Sequence, residues 1–241
     1  MNRELYRQFF IAEDRHWWFA ARRQIIGKVL DSYFTPPVNS RVLEVGCGTG
    51  GNLAMLSRYG DIYAMEMDAE ARDLAGSRDI GDIRAGHLPD RVPFDGGFDL
   101  VCALDVIEHI DDDLAALQAL YAQLRPGGAL LVTVPAYRFL WSAHDDANQH
   151  KRRYTRPQLL QQVRAAGFAP VYASYFNTFM FPLILAVRVL HNLLHRPPGS
   201  DIEMPSTGVN RLLQTIFGFE RCLMPGLSLP FGVSVLVIAR R

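Results

Sequence analysis

The chain has 241 residues, 49% hydrophobic and 21% charged, enough to bury one substantial core and leave length for an insertion. Twenty-five basic residues balance twenty-five acidic ones, which excludes the global field that draws a protein to nucleic acid, so no nucleic-acid partner is expected. Cys47, Cys102 and Cys222 are odd in number and unclustered, which excludes a disulfide framework or a paired-cysteine zinc site. Together with an N-terminal segment that does not read as a secretory signal, they point to a cytoplasmic setting.

In chain order, residues 3–34 carry apolar and aromatic side chains at helical spacing until Pro36-Pro37, which predicts a prelude of two helices. Short β-branched runs at Arg41 to Val45, Ile62 to Met65, Ile80 to Ala85, Leu100 to Leu104 and Ala129 to Val134 then alternate with helical stretches. That alternation predicts a parallel sheet wound with helices. A helix over about Asp112 to Leu124 stops at Arg125-Pro126-Gly127-Gly128. A second helix over Thr155 to Ala166 has Thr155 as its N-cap and Pro157 in its first turn. A strand over Phe168 to Tyr175 follows, then an insertion of about fifty residues, then a last strand at Val233 to Ala239. Within the insertion, Phe176 to Leu194 is apolar nearly all round but broken by Asn177, Pro182 and Arg188, short of the ~20 clean residues of a spanning helix. Residues 195–200 read as a loop, and Val209 to Met224 as a further helix.

Between the first strand and the next helix, Gly46, Cys47, Gly48 and Gly50 form a loop whose backbone can approach a ligand closely. Gly46, Gly48 and Gly51 also satisfy G-x-G-x-x-G, with Glu66 twenty residues after Gly46, so the glycines alone leave a dinucleotide and S-adenosylmethionine nearly tied. Glu44 separates them. A carboxylate beside the loop repels a pyrophosphate and suits a cofactor that is cationic at its amino group and sulfonium.

The motifs Glu44-Val-Gly-Cys-Gly-Thr-Gly50, Pro93-Phe-Asp-Gly-Gly-Phe-Asp99, Leu104-Asp-Val-Ile-Glu-His109 and Leu124-Arg-Pro-Gly-Gly128 follow one another in order. Over residues 39–136 the sequence resembles the class I S-adenosylmethionine-dependent methyltransferases, particularly the small-molecule branch that includes the ubiquinone-biosynthesis O-methyltransferases. The resemblance implies an α/β, Rossmann-like, seven-stranded, mostly parallel sheet with helices on both faces. The N-terminal helical prelude (1–38, as a lid) and the helical insertion (176–230, before the last strand) would be added to that methyltransferase domain (39–241). It implies that Glu44, the loop Gly46, Cys47, Gly48 and Gly50, and Asn52 beyond it hold the methionine part. Glu66 then accepts from the ribose hydroxyls, Met67 packs on the adenine, His87 and Leu88 line its edge, and Leu104 and Asp105 lie beneath the sulfonium. Where such a family commonly has an acidic residue near the adenine, this sequence offers Arg84-Ala-Gly-His87.

Methyl transfer to a hydroxyl needs alignment and a base. The candidates are His109 and, after the fifth strand, His144, Asp145 and His150, where a histidine beside a carboxylate makes an oriented base. The last three are also chemically adequate metal ligands, but their spacing on a predicted loop assigns no metal. Lys151-Arg152-Arg153 could neutralise an anionic acceptor. Residues 176–194 supply apolar surface for core, a dimer contact, a lipid-like acceptor or a membrane-surface contact. The expected function is methyl transfer to an oxygen of a small-molecule or lipid-like acceptor, by a monomer or homodimer. The alternatives are an NAD(P)-dependent oxidoreductase and a non-catalytic binding module.

Overall fold

The computed structural model describes residues 3–194 and 204–241; the loop expected at 195–200 lies outside them. Seven strands form one sheet: β1 (Arg41–Val45), β2 (Asp61–Glu66), β3 (Asp82–Ala85), β4 (Phe98–Leu104), β5 (Leu124–Pro135), β6 (Ala169–Phe176) and β7 (Ser234–Arg240), in the order β3-β2-β1-β4-β5-β7-β6. The first five pair in parallel, and β7 runs antiparallel between β5 and β6. Every residue of β4 is buried, as a strand covered on both faces requires. Successive side chains take opposite sides. Leu100 and Cys102 join one core cluster with Val42, while Val101 and Ala103 join the other with Leu43 and Val45.

The prelude consists of α1 (Arg3–Glu13) and α2 (Trp17–Tyr33). α2 buries Ile25, Ile26, Val29 and Leu30 on the sheet, so much of the prelude is core. The remaining helices before the insertion are α3 (Leu53–Leu56), α4 (Ala69–Gly76), α5 (Asp113–Gln123), α6 (Ala143–Ala147) and α7 (Arg156–Ala165). Asp68 caps α4 by accepting from Glu70 and Ala71 N–H groups, and Thr155 and Gln158 cap α7 reciprocally, with Pro157 in the first turn as the sequence predicts. α6 occupies part of the segment read from sequence as loop.

The insertion holds α8 (Phe181–Leu194), α9 (Thr207–Gly218) and α10 (Glu220–Leu223). The helix expected from Phe176 starts five residues later because the buried Glu220 carboxylate takes the N–H groups of Asn177, Thr178 and Phe179, at 2.7, 2.6 and 2.9 Å. Those donors cannot serve strand or helix. α9 packs on α2 through buried Phe217, which meets Trp17 edge-on, and Asn210 accepts from the Trp17 N–H at 2.9 Å. No helix among the described residues is long and apolar enough to cross a membrane. The strand order reverses direction between β1 and β4, which places a crevice at the carboxyl ends of these strands.

Candidate active site

The crevice is floored by the glycine loop. Gly46 sits at φ 62°, and a Cβ there would lie 2.7 Å from Val106 Cγ2. Gly48, at φ 55°, has open space where its Cβ would be, so its glycine is needed for the turn alone. Glu44, 1% exposed, accepts from Asn52 Nδ2 at 2.9 Å through one oxygen, and its other oxygen has no partner among the described residues. Burial pushes its pKa up to about 8. An orphaned, buried carboxylate oxygen beside a glycine loop fits an ammonium group.

At the end of β2, Glu66 accepts from the N–H groups of Gly48 and Asp68, both at 2.9 Å, which fixes the carboxylate and leaves lone pairs for hydroxyl donors. Met67 is 74% exposed at the rim, beside α4. His87 is exposed and Leu88 half-buried, on a turn closed by paired backbone bonds between His87 and Arg91. Leu104 is buried, and Asp105 follows it at φ 59°.

α1 lies across the loop. Glu13 accepts from Thr49 Oγ1 at 2.5 Å, pairs with Arg78 at 3.3 Å, and comes so close to Gly51 that a Cβ there would meet its Cδ at 2.6 Å. Burial, then the Asp68 and Glu66 carboxylates, push the Tyr6 hydroxyl pKa up.

Arg22, which the sequence reading did not select, reaches the site from α2. Its Nη2 donates to Asp105 Oδ2 at 2.8 Å and to Thr133 Oγ1 at 2.7 Å, and Thr133 in turn donates to Asp105 at 3.0 Å. The available signal was a cation on the helix face shared with Ile25, Ile26 and Val29, a face that has to be buried.

The polar cluster expected after β5 assembles against the turn after β4. His150 Nδ1 is 2.8 Å from Asp145 Oδ1, and Arg153 grips the same fully buried carboxylate at 2.7 and 2.9 Å while donating to the Ala136 carbonyl at 3.0 Å. Burial alone would raise the Asp145 pKa, but the bonds from His150 and Arg153 outweigh it and hold the carboxyl well below its ordinary range. Asp145 is therefore held as an anion between His150 and Arg153. The rings of His150 and His109 meet edge-on at 4.6 Å, and one ligand atom each of Glu108, His109 and His150 lie within 4.8 Å of one another. Glu108 is fully buried with neither carboxylate oxygen partnered among the described residues, and burial, then Asp105, push its pKa well up. The side chain of His144 lies outside the described residues.

Lys151, Arg152 and Arg153 pair with Asp111 at 2.9 Å, Asp113 at 3.1 Å and Asp145 at 2.7 Å.

A glycine loop, a buried acid at the end of β1, a caged acid at the end of β2 and this strand order define the class I S-adenosylmethionine-dependent methyltransferases. The chain belongs to the family described as a methyltransferase domain, whose model matches residues 16–173. It is 29% identical over 126 residues to trans-aconitate 2-methyltransferase of Deinococcus radiodurans, covering 51% of this chain and 48% of that protein. It is likewise 29% identical over 138 residues to ubiquinone biosynthesis O-methyltransferase of Xanthomonas campestris pv. campestris, covering 52% and 58%. The chain thus spans about half the length of the curated relatives it matches. Among solved structures, geranyl diphosphate C-methyltransferase of Streptomyces coelicolor with S-adenosyl-L-homocysteine aligns at TM-score 0.61 and 16% identity, covering 88% of this chain and 73% of that one. Phosphoethanolamine N-methyltransferase 2 of Haemonchus contortus with S-adenosyl-L-methionine aligns at 0.59 and 16%, covering 88% and 51%. These likenesses establish the shared fold.

Proposed function

We propose that the protein transfers a methyl group from S-adenosylmethionine to an oxygen of a small or lipid-like acceptor, with His150 as the base. The observation that carries this reading is the His150–Asp145 bond, locked by Arg153 at the mouth of the crevice. Glu44 would hold the ammonium and Glu66 the ribose hydroxyls. When bound, the cofactor supplies a methyl carbon activated by positive sulfur. Asp145 would fix the ring of His150 so that the imidazole can take the acceptor's hydroxyl proton. Arg22 holds Asp105 in place beneath this point. Membership of the methyltransferase-domain family stands against the oxidoreductase alternative. The three free cysteines support a reducing, cytoplasmic setting.

Calorimetry should show binding of S-adenosylhomocysteine and none of NAD. Methyl transfer from labelled donor into a small-molecule and lipid extract should then fall about 100-fold or more in His150→Gln, with donor affinity unchanged. An undiminished rate in that variant would remove His150 as the base.

A second reading is favoured by the two unpartnered oxygens of buried Glu108: a divalent cation held by Glu108, His109 and His150 could polarise the acceptor oxygen instead. Transfer that survives exhaustive chelation and is not raised by added divalent ions would rule it out.

A further inference from the structure

Glu44 and Glu66 are 1% and 9% exposed, and Thr49 of the loop between them is 2% exposed, so something must move before a donor arriving from water reaches them. The element lying on that loop is α1, through Glu13 at Thr49 and Gly51. No described residue of α1 joins either core cluster, whereas α2 puts Ile25, Ile26, Val29 and Leu30 into one. Phe9 meets Phe19 of α2 edge-on at 6.1 Å, and the link between the two helices is exposed Asp14-Arg15 followed by His16.

Polar bonds hold α1 down, and Arg78, just beyond α4, is at their centre. Its Nη2 donates to Glu13 at 3.3 Å and to the Phe10 carbonyl at 3.5 Å, its Nη1 donates to Asp14 at 3.1 Å, and its guanidinium lies 4.4 Å from the centre of the Phe10 ring. The same side chain donates through Nε to the Thr49 carbonyl at 2.7 Å. One cation thus ties the helix to the donor loop. The Arg78 and Glu13 side chains are only 13% and 15% exposed, so salt screens the pair little, yet such bonds exchange for bonds to water at a small net cost. A buried apolar face is not undone so easily.

We infer that α1 is a gate over the donor loop, latched by the Glu13–Arg78 pair and swinging on residues 14–16, which opens before S-adenosylmethionine enters or S-adenosylhomocysteine leaves. This rests on the donor seat at Glu44 and Glu66 proposed above. The lid expected over residues 1–38 is thereby narrowed to α1, because α2 is core. Gly51 offers a way to open the gate without touching either latch residue. The three atoms nearest a Cβ placed there all belong to Glu13, at 2.6, 2.6 and 3.0 Å, and Gly51 does not take a left-handed φ. An alanine at this position therefore meets Glu13 and pushes it off the loop.

Stopped-flow binding of S-adenosylhomocysteine to the whole chain, followed by intrinsic fluorescence, tests it. In the wild type the observed rate should climb with ligand concentration and level off at the rate of gate opening. Arg78→Ala and Gly51→Ala should each raise both the initial slope and the plateau about fivefold or more, and Glu13→Gln should act in the same direction to a smaller degree. In a Glu13→Ala background Gly51→Ala should add nothing, since the atoms it displaces are gone. Melting within a few degrees of the wild type reports an intact fold in each variant. An Arg78 that only adds affinity would speed dissociation and leave the slope unchanged, which overturns the gate. A plateau that stays or falls in Arg78→Ala and Gly51→Ala also overturns it, because α1 then closes after the donor has arrived. Glu44→Gln should weaken binding at an unchanged plateau. Affinity untouched in Glu44→Gln refutes the donor seat, whereas weakened affinity there, with no plateau in the wild type, refutes the gate alone.

Discussion

Glu44 holds its proton up to about pH 8 in the fold, against 4.5 as its ordinary value, because it is buried with one oxygen unanswered. Between those two values the unfolded chain has released the proton and the folded chain keeps it. The protein without donor therefore loses stability as pH rises across that window. An ammonium at the orphan oxygen favours the ionised carboxylate, so donor binding should release a proton. Affinity for S-adenosylhomocysteine should rise about tenfold or more from pH 6 to 7.5, with proton release visible by calorimetry in buffers of different ionisation enthalpy, and Glu44→Gln should flatten the dependence. A wild-type affinity indifferent to pH would contradict the role. Gly46→Ala combines a left-handed φ with a Cβ driven against Val106, and should lower donor affinity while sparing most of the fold. Glu44, Gly46 and Glu66 could be picked from sequence because strand end, glycine spacing and second acid fall at fixed offsets. Arg22 could not be picked so directly, since its partners Asp105 and Thr133 lie 83 and 111 residues away.

The strands were readable as elements because burial on two faces leaves runs such as Phe98–Leu104 with hardly a polar residue. Helix ends were readable where a side chain caps them, as Thr155 does. The insertion was misread at its start for the converse reason: the carboxylate that ends β6 is Glu220, 43 residues on from Asn177, and no local pattern announces it. That single side chain ties three backbone donors of the β6–α8 junction to α10. Glu220→Ala should lower unfolding stability by about 2–4 kcal/mol, and Glu220→Gln, which keeps one acceptor, by about half as much, measured by chemical denaturation. A loss within error for Glu220→Ala would mean that water replaces the carboxylate.

Across the whole molecule the site draws on α1, α2, the ends of β1, β2 and β4, and the segment from Asp145 to Arg153. Alternating strands and helices announced the sheet and the crevice, but not that a segment read as loop would carry a short helix and a buried Arg153–Asp145 pair. α1 stays attached through Glu13, with Thr49 and Arg78 as its anchors and Gly51 as its seat. Removing residues 1–14 should leave the melting temperature within a few degrees, since the core contacts of the prelude come from α2, and weaken S-adenosylhomocysteine binding about tenfold. Unchanged affinity in the truncated protein would show that α1 contributes nothing to holding the donor.

The position of β7 has a consequence for how the molecule is made. A strand that pairs on one side with β5 and on the other with β6 is translated only after the long helical insertion, so a nascent chain carries both partner edges with nothing between them while those residues are added. At ordinary elongation speeds that interval is about 3–12 seconds, long compared with collapse of a polypeptide. Two open hydrophobic edges over that time are an invitation to mispairing. Slow codons in the insertion should therefore lower the yield of soluble protein more than slow codons placed anywhere in the first five strands.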